Sequence, residues 1–213
     1  MYDHFIINIG RQLGSGGRQI GQLLSERMGI AFYDRELISL ASKQSGLARE
    51  VFEEVDEKKR FTLTGGFLGV KTSILNEGFS NNYLWSEMLF KIQSDVIRDL
   101  AREKSCIFVG RCADYILRDH PRTLNVFICA DQADRIRRVT DYYEVGERKA
   151  LELIGKTDRK RAGYYNYYSN REWGVAESYH LCINSSVLGI VPTVSFIEDF
   201  LRRRFLECGN VAM

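Results

Sequence analysis

The 213-residue sequence predicts an α/β fold built on a parallel sheet, and three observations carry that expectation. Short β-rich apolar runs alternate with long amphipathic segments. The runs are apolar at nearly every position, as suits strands covered by helices on both faces. A cluster of glycines ends the first run and opens the first helical segment, the junction expected where a strand hands over to a helix.

Strands are expected at 5–9, 31–33, 106–109, 124–129 and 181–183. Helices are expected at 18–28, 34–45, 84–103, 111–118, 131–143, 147–170 and 191–207. In the last helix, Phe196, Ile197, Phe200, Leu201 and Phe205 recur at helical spacing and are assigned to the core, as are Trp85, Met88, Leu89 and Ile92. Residues 57–83 mix charge, Gly65-Gly66 and polar side chains without a period, and are expected to form a loop-rich insertion. Nothing marks a repeat or an interdomain linker, so the chain is expected to be one domain.

With 30 basic and 28 acidic residues the net charge is only +2, which gives no whole-molecule case for binding nucleic acid or a membrane surface. No apolar run approaches the roughly 18 residues of a membrane span, and the N-terminal Met1-Tyr2-Asp3-His4 lacks the pattern of a signal peptide. A cytoplasmic protein is expected. The five cysteines include no CxxC pair, and Cys106, Cys129 and Cys182 sit in apolar runs, so reduced structural thiols are expected. His4, His120 and His180 lack metal-ligand spacing, and no protein metal site is expected.

The sharpest feature is Ile9-Gly10-Arg11-Gln12-Leu13-Gly14-Ser15-Gly16-Gly17-Arg18-Gln19-Ile20. The first turn of a helix has unpaired N–H groups and a partial positive charge, and glycines let the backbone close around an anion. Two ligand chemistries compete. A dinucleotide fingerprint needs Gly-x-Gly-x-x-Gly and an acid about 20 residues on. Gly14, Gly16 and Asp34 fit it, but Gln19 holds the third glycine position. A P-loop needs Gly-x-x-x-x-Gly-Lys-Ser/Thr. Its closing glycine is Gly16 or Gly17, but the lysine is missing, and Arg18 is the cation in reach. Arg18 or Gln19, depending on register, stands where a Mg²⁺-binding hydroxyl belongs.

The run 11–20, followed by Met28-Gly29-Ile30-Ala31-Phe32-Tyr33-Asp34-Arg35-Glu36-Leu37-Ile38, resembles the cytidylate kinase-like family of P-loop nucleoside monophosphate kinases. The segments Ile107-Phe108-Val109-Gly110-Arg111-Cys112-Ala113-Asp114-Tyr115, Asp158-Arg159-Lys160-Arg161-Ala162-Gly163-Tyr164-Tyr165 and Tyr179-His180-Leu181-Cys182-Ile183-Asn184-Ser185-Ser186 continue the resemblance in order. It implies a P-loop NTPase-type three-layer α/β/α fold with a five-stranded parallel sheet, an acceptor-side insertion at about 46–90 and an arginine-rich helical lid at about 131–172. It also implies that Gly14, Ser15, Gly16, Gly17, Arg18 and Gln19 cradle the phosphates of ATP. Asp34 and Arg35 would contact the acceptor, Arg111 would grip the acceptor phosphate, and Asp114 on the same segment is a further substrate-binding candidate. The chain departs from cytidylate kinases at the lysine, at Asp34-Arg35-Glu36 and at Cys112, so the acceptor is either a nucleoside monophosphate or another small metabolite.

Phosphoryl transfer is catalysed chiefly by positioning and by stabilising spread negative charge, work suited to arginines on a closing lid. Arg135 and Arg138 share a helix face, Arg137 points elsewhere, and Arg159 and Arg161 follow. The catalytic candidates are Arg18, Arg159 and Arg161, with Asp34 orienting or deprotonating the acceptor. ATP and Mg²⁺ are the expected cofactors and a small-molecule acceptor the expected partner. Tyr164, Tyr165, Tyr167 and Tyr168 read as a helix packing face, at the contact of a homodimer. The alternative function is a nucleotide-binding regulatory module that has lost catalysis.

Overall fold

The computed structural model describes residues 4–34 and 74–207. β1 (Ile6–Arg11) turns through the glycines into α1 (Gly17–Met28), which Gly29 ends in a left-handed cap before β2 (Ala31–Tyr33). After α2 (Ile74–Glu103) come β3 (Cys106–Val109), a one-turn α3 (Ala113–Ile116) and β4 (Thr123–Cys129). Two long helices follow, α4 (Gln132–Tyr143) and α5 (Glu147–Ser169). The chain then forms β5 (Leu181–Asn184), a short α6 (Ser185–Leu188), α7 (Ile190–Arg202) and a π-helical turn, Arg203–Glu207.

The five strands form one all-parallel sheet in the order β2-β3-β1-β4-β5, with helices on both sides. The expected α/β/α architecture is therefore present. β1, β3 and β4 are buried along most of their length, whereas the edge strand β5 leaves Cys182 exposed, contrary to its place in an apolar run. Because strand side chains alternate, the sheet has two different faces. Ile7, Ile9, Ile107, Val109, Leu124, Val126 and Ile128 pack with Ile20 and Leu24 of α1 and Val194, Ile197 and Leu201 of α7 into one core cluster. The intervening positions put Asn8, Gly10, Phe108, Gly110, Asn125 and Phe127 on the opposite face.

The chain divides into two compact units, Met1–Arg35 with Leu100–Met213, and Glu36–Asp99. Of the second, the described residues belong to α2. That helix begins at Ile74, so the stretch 74–83 is helical and not part of a loop-rich insertion. Gly78, Asn81 and Asn82 are poor helix formers that hide the period. Once a helix is nucleated, adding a residue costs far less than starting one, and a 30-residue helix carries them. The helix expected at 34–45, from residue 35 on, and the rest of the expected insertion at 46–73 lie outside the described residues. α3 is also shorter than expected, because Gly110, Arg111 and Cys112 all have positive φ and cannot be helical.

Ile197 is fully buried against the sheet. Ile197→Ala is expected to destabilise the protein by about 2–5 kcal/mol, measured by urea unfolding.

Candidate functional site

The residues of interest converge at the carboxyl ends of β1, β3 and β4, where open parallel sheets bind ligands. The loop after β1 turns on Gly14 and Gly16, both at φ 77°. A Cβ on Gly14 would come within 2.6 Å of the Arg135 carbonyl oxygen, and one on Gly16 would collide with Ile190. Only glycine fits either place.

The loop's carbonyls are all occupied. Gln12 O accepts from the Ser15 hydroxyl at 2.9 Å, Leu13 O from Arg135 Nε at 2.8 Å and Gly14 O from Arg138 Nη1 at 3.1 Å. Ser15 O accepts from the Ser185 hydroxyl at 2.6 Å, and Gly16 O from the Ile20 amide at 2.9 Å. The amides of Gly14 and Gly16, by contrast, have no acceptor among the described residues. With its negative ends tied off and its donors left over, the loop is set to receive an anion at the start of α1.

Asp158 of α5 clamps this arrangement. Its Oδ1 accepts from the Leu13 amide at 2.8 Å, its Oδ2 is bonded by Arg135, and Arg161 Nη1 lies 3.9 Å away. The Leu13 side chain packs beside the cluster of Val139, Ala150 and Ile154, the small core of the α4–α5 hairpin.

Two cavities open here. One, of about 600 Å³, lies over the glycine loop and is lined by residues 11–14, Gly16, Gly17, Arg18, Gln19, Gln22, Arg138 and the exposed Tyr142 and Tyr143. The other, of about 440 Å³, lies over the polar face of the sheet. Asn8 and Gly10 line it from β1, Gly110, Arg111, Cys112 and Asp114 from the corner after β3, and Thr157, Lys160, Arg161, Tyr164 and Tyr165 from α5. Trp173 and Tyr179 complete it. Arg11 and Arg161 line both cavities.

The structure distributes the candidate residues unevenly. Arg18 lines the loop cavity, but its Nη2 is 2.8 Å from Asp34 Oδ2 and its Nε donates to the same oxygen at 2.9 Å. Asp34 is thus held by Arg18 and lines neither cavity. Ser15 is fully buried, its hydroxyl turned to Gln12 O. Arg161 stands between the cavities and donates to Arg11 O at 2.9 Å, whereas Arg159 is exposed and lines neither. Arg111 reaches the second cavity from a strained corner in which Gly110, Arg111 and Cys112 have φ of 80°, 62° and 55°. Left-handed backbone at non-glycine residues is uncommon and clusters at functional sites. Arg35 lies outside the described residues.

Of the groups that line the second cavity from α5, the sequence singled out Arg161 but not Thr157 or Lys160, and gave Tyr164 and Tyr165 a packing role. Thr157, Lys160, Arg161, Tyr164 and Tyr165 follow i, i+3, i+4, i+7, i+8 spacing, so the tyrosines taken for a packing face share a stripe with two cations. Arg11 was overlooked because it precedes the glycines. Among the described residues, Asn8 Oδ1 and Arg111 Nε are buried without a hydrogen-bond partner, and both belong to residues lining the second cavity.

Burial shapes the protonation there. It pushes the Tyr164 hydroxyl up to about 12. Burial also raises the Asp114 carboxyl above the usual carboxylate range, although the Tyr165 hydroxyl donates to Asp114 Oδ2 at 2.7 Å and opposes the shift. Arg11 is lowered to about 9 by burial and by the Arg161, Arg111 and Arg18 guanidinium groups, and remains charged at neutral pH.

The family model for the cytidylate kinase-like family matches residues 6–187, which include the loop, both cavities and α5. The chain belongs to the cytidylate kinase-like family. Its fold also matches the crystal structure of an uncharacterized protein from Eubacterium ventriosum, with TM-score 0.70 and 26% identity over 93% of this chain and 98% of that one. A shikimate kinase from Bacteroides thetaiotaomicron matches with TM-score 0.51 and 12% identity, over 93% and 98% of the two chains. No curated protein sequence matches the chain. This cytidylate kinase-like chain therefore has the nucleotide-binding fold of P-loop kinases, as the resemblance implied.

A raised carboxyl pKa has a consequence for stability. The folded state holds the Asp114 proton more tightly than the unfolded chain does, so that contribution is full below the ordinary carboxyl pKa of about 4. It is lost as pH rises through the folded value. Urea unfolding from pH 4 to 8 is expected to show this decline in the wild type and a flatter profile in Asp114→Asn. Parallel profiles would refute the assignment.

Proposed function

We propose that the protein is a phosphotransferase that moves the γ-phosphoryl group of ATP to a small hydroxyl- or phosphate-bearing acceptor. The observation that carries the proposal is the cation-rich wall, Arg11 and Arg161, shared by the glycine-loop cavity and the second cavity. Direct transfer requires donor and acceptor to meet in line across such a boundary, with positive charge where the moving group becomes spread.

In this reading the amides of the loop and of the first turn of α1 hold the triphosphate, and the exposed Tyr142 and Tyr143 rings flank the nucleoside end. The acceptor occupies the second cavity, an anionic group on it facing Arg111 and Lys160, and its uncharged part lying among Tyr164, Trp173 and Tyr179. Arg161 bridges the two, and Asp114 positions an acceptor hydroxyl. The acceptor oxygen attacks directly, so no protein nucleophile is required.

The residues present do not form a protein-held Mg²⁺ site. Arg18, ion-paired to Asp34, stands where the P-loop hydroxyl would be, and no three His, Cys, Asp or Glu side chains gather among the described residues. Mg²⁺ would enter bound to the triphosphate and water, as it commonly does.

A second reading, a nucleotide-binding regulatory module without catalysis, is favoured by that same ion pair. It engages the cation that directly follows the glycines, at a chain position next to the missing lysine. Incubation with Mg-ATP and a panel of nucleoside monophosphates, nucleosides and hydroxy acids separates the two. Acceptor-dependent ADP release supports the kinase; nucleotide binding with no turnover on any acceptor supports the module. For the kinase, Arg161→Ala is expected to lower acceptor-dependent kcat by about 10³-fold, with a thermal melt to check the fold.

A further inference from the structure

We infer that Arg11, not Arg18, is the phosphoryl-binding cation of this chain, and that Gly17 is bare because the Arg11 side chain occupies the space a P-loop lysine would need. This rests on the kinase reading above and adds to it the residue that replaces the missing lysine.

With Gly16 as the closing glycine of the loop, the lysine position falls on Gly17. A Cβ there would lie 2.6 Å from Arg11 Cβ, 3.1 Å from Arg11 Cγ and 3.3 Å from Ile128 Cβ. The first of these is closer than two such carbons can approach. The two positions are therefore exclusive: a side chain at 11, from its Cβ outward, forbids any side chain at 17. From Gly17 the Arg11 stem crosses to the corner after β3, where a Cβ on Gly110 would collide with its guanidinium. Two glycines on different elements thus form a groove for one arginine.

The guanidinium in that groove has no hydrogen bond or ion pair among the described residues. Among the described residues, the charges that act on it most are Arg161, Arg111 and Arg18 against Asp34, which is already held by Arg18. Arg111 Nε is likewise buried without an acceptor. Cations crowded beside like charges favour an anion, and a donor buried out of water, as Arg111 Nε is, favours one further. Arg11 borders both cavities, so the anion it suits is the phosphoryl group between donor and acceptor. A guanidinium offers that group a planar fork in place of the point charge of an ammonium.

The test is calorimetric titration of the full chain with the Mg²⁺ complex of the β,γ-imido analogue of ATP, with melting temperatures recorded for every variant. Arg11→Met, which keeps the stem and removes the charge, is expected to weaken binding by about 10- to 100-fold. Arg11→Lys is expected to retain part of the affinity. Gly17→Lys alone is expected to lower the melting temperature through its clash with the Arg11 stem. The double variant Arg11→Gly with Gly17→Lys is expected to regain both stability and much of the affinity lost in Arg11→Gly. Wild-type affinity in Arg11→Met, or equal affinity in the Met and Lys variants, would overturn the inference while leaving the kinase reading intact. Failure of the wild type to bind the analogue would overturn both.

Discussion

The geometry of the site depends on how the backbone of one residue, Leu13, is held. The amide of Leu13 donates to Asp158 and its carbonyl accepts from Arg135, while the same two side chains are bonded to each other. A β-strand end, a loop and two long helices are thereby joined through a single carboxylate that is mostly shielded from water. Partly buried charges are costly to isolate, so each member of this set holds the others in place. Arg138 and Ser185 extend the grip to the next two carbonyls. The anion-receiving character of the loop follows, since its acceptors are used up by the scaffold and its donors are not.

Charge that is unremarkable in total is concentrated in place. The chain carries a net +2, yet Arg18, Arg111 and Arg161 all lie close enough to Arg11 to act on its charge. Cations brought together in partly dehydrated surroundings repel, and the folded state carries that cost without a ligand. Binding a polyanion would relieve it. A near-neutral total gives no field to draw a broad anionic surface, and it says nothing about a small anion held at one point.

The sequence was most informative where local pattern and tertiary role agree. Apolar runs of four to seven residues became β1, β3 and β4, because strands buried on both faces have no polar alternation to hide them. Gly14 and Gly16 were legible because their backbone demands glycine. Arg11 was not, for its role is created by the emptiness of Gly17 and Gly110, two positions that meet only after the sheet has paired β1 with β3. The pairing of Arg18 with Asp34 was hidden for a similar reason, since it crosses from the start of α1 to the end of β2. In α5, the tyrosines drew attention away from Thr157 and Lys160, though all lie on one stripe.

The corner after β3 departs from the thrift of the rest of the fold. A left-handed conformation costs a non-glycine residue roughly 1–2 kcal/mol, and Arg111 and Cys112 adopt it in succession behind Gly110. Glycine in both places would relax the backbone, at the loss of the guanidinium and of a buried thiol. Heat resistance and the placement of a guanidinium on the cavity thus pull this corner in opposite directions, and variants selected for endurance alone would drift toward a smoother, emptier bend.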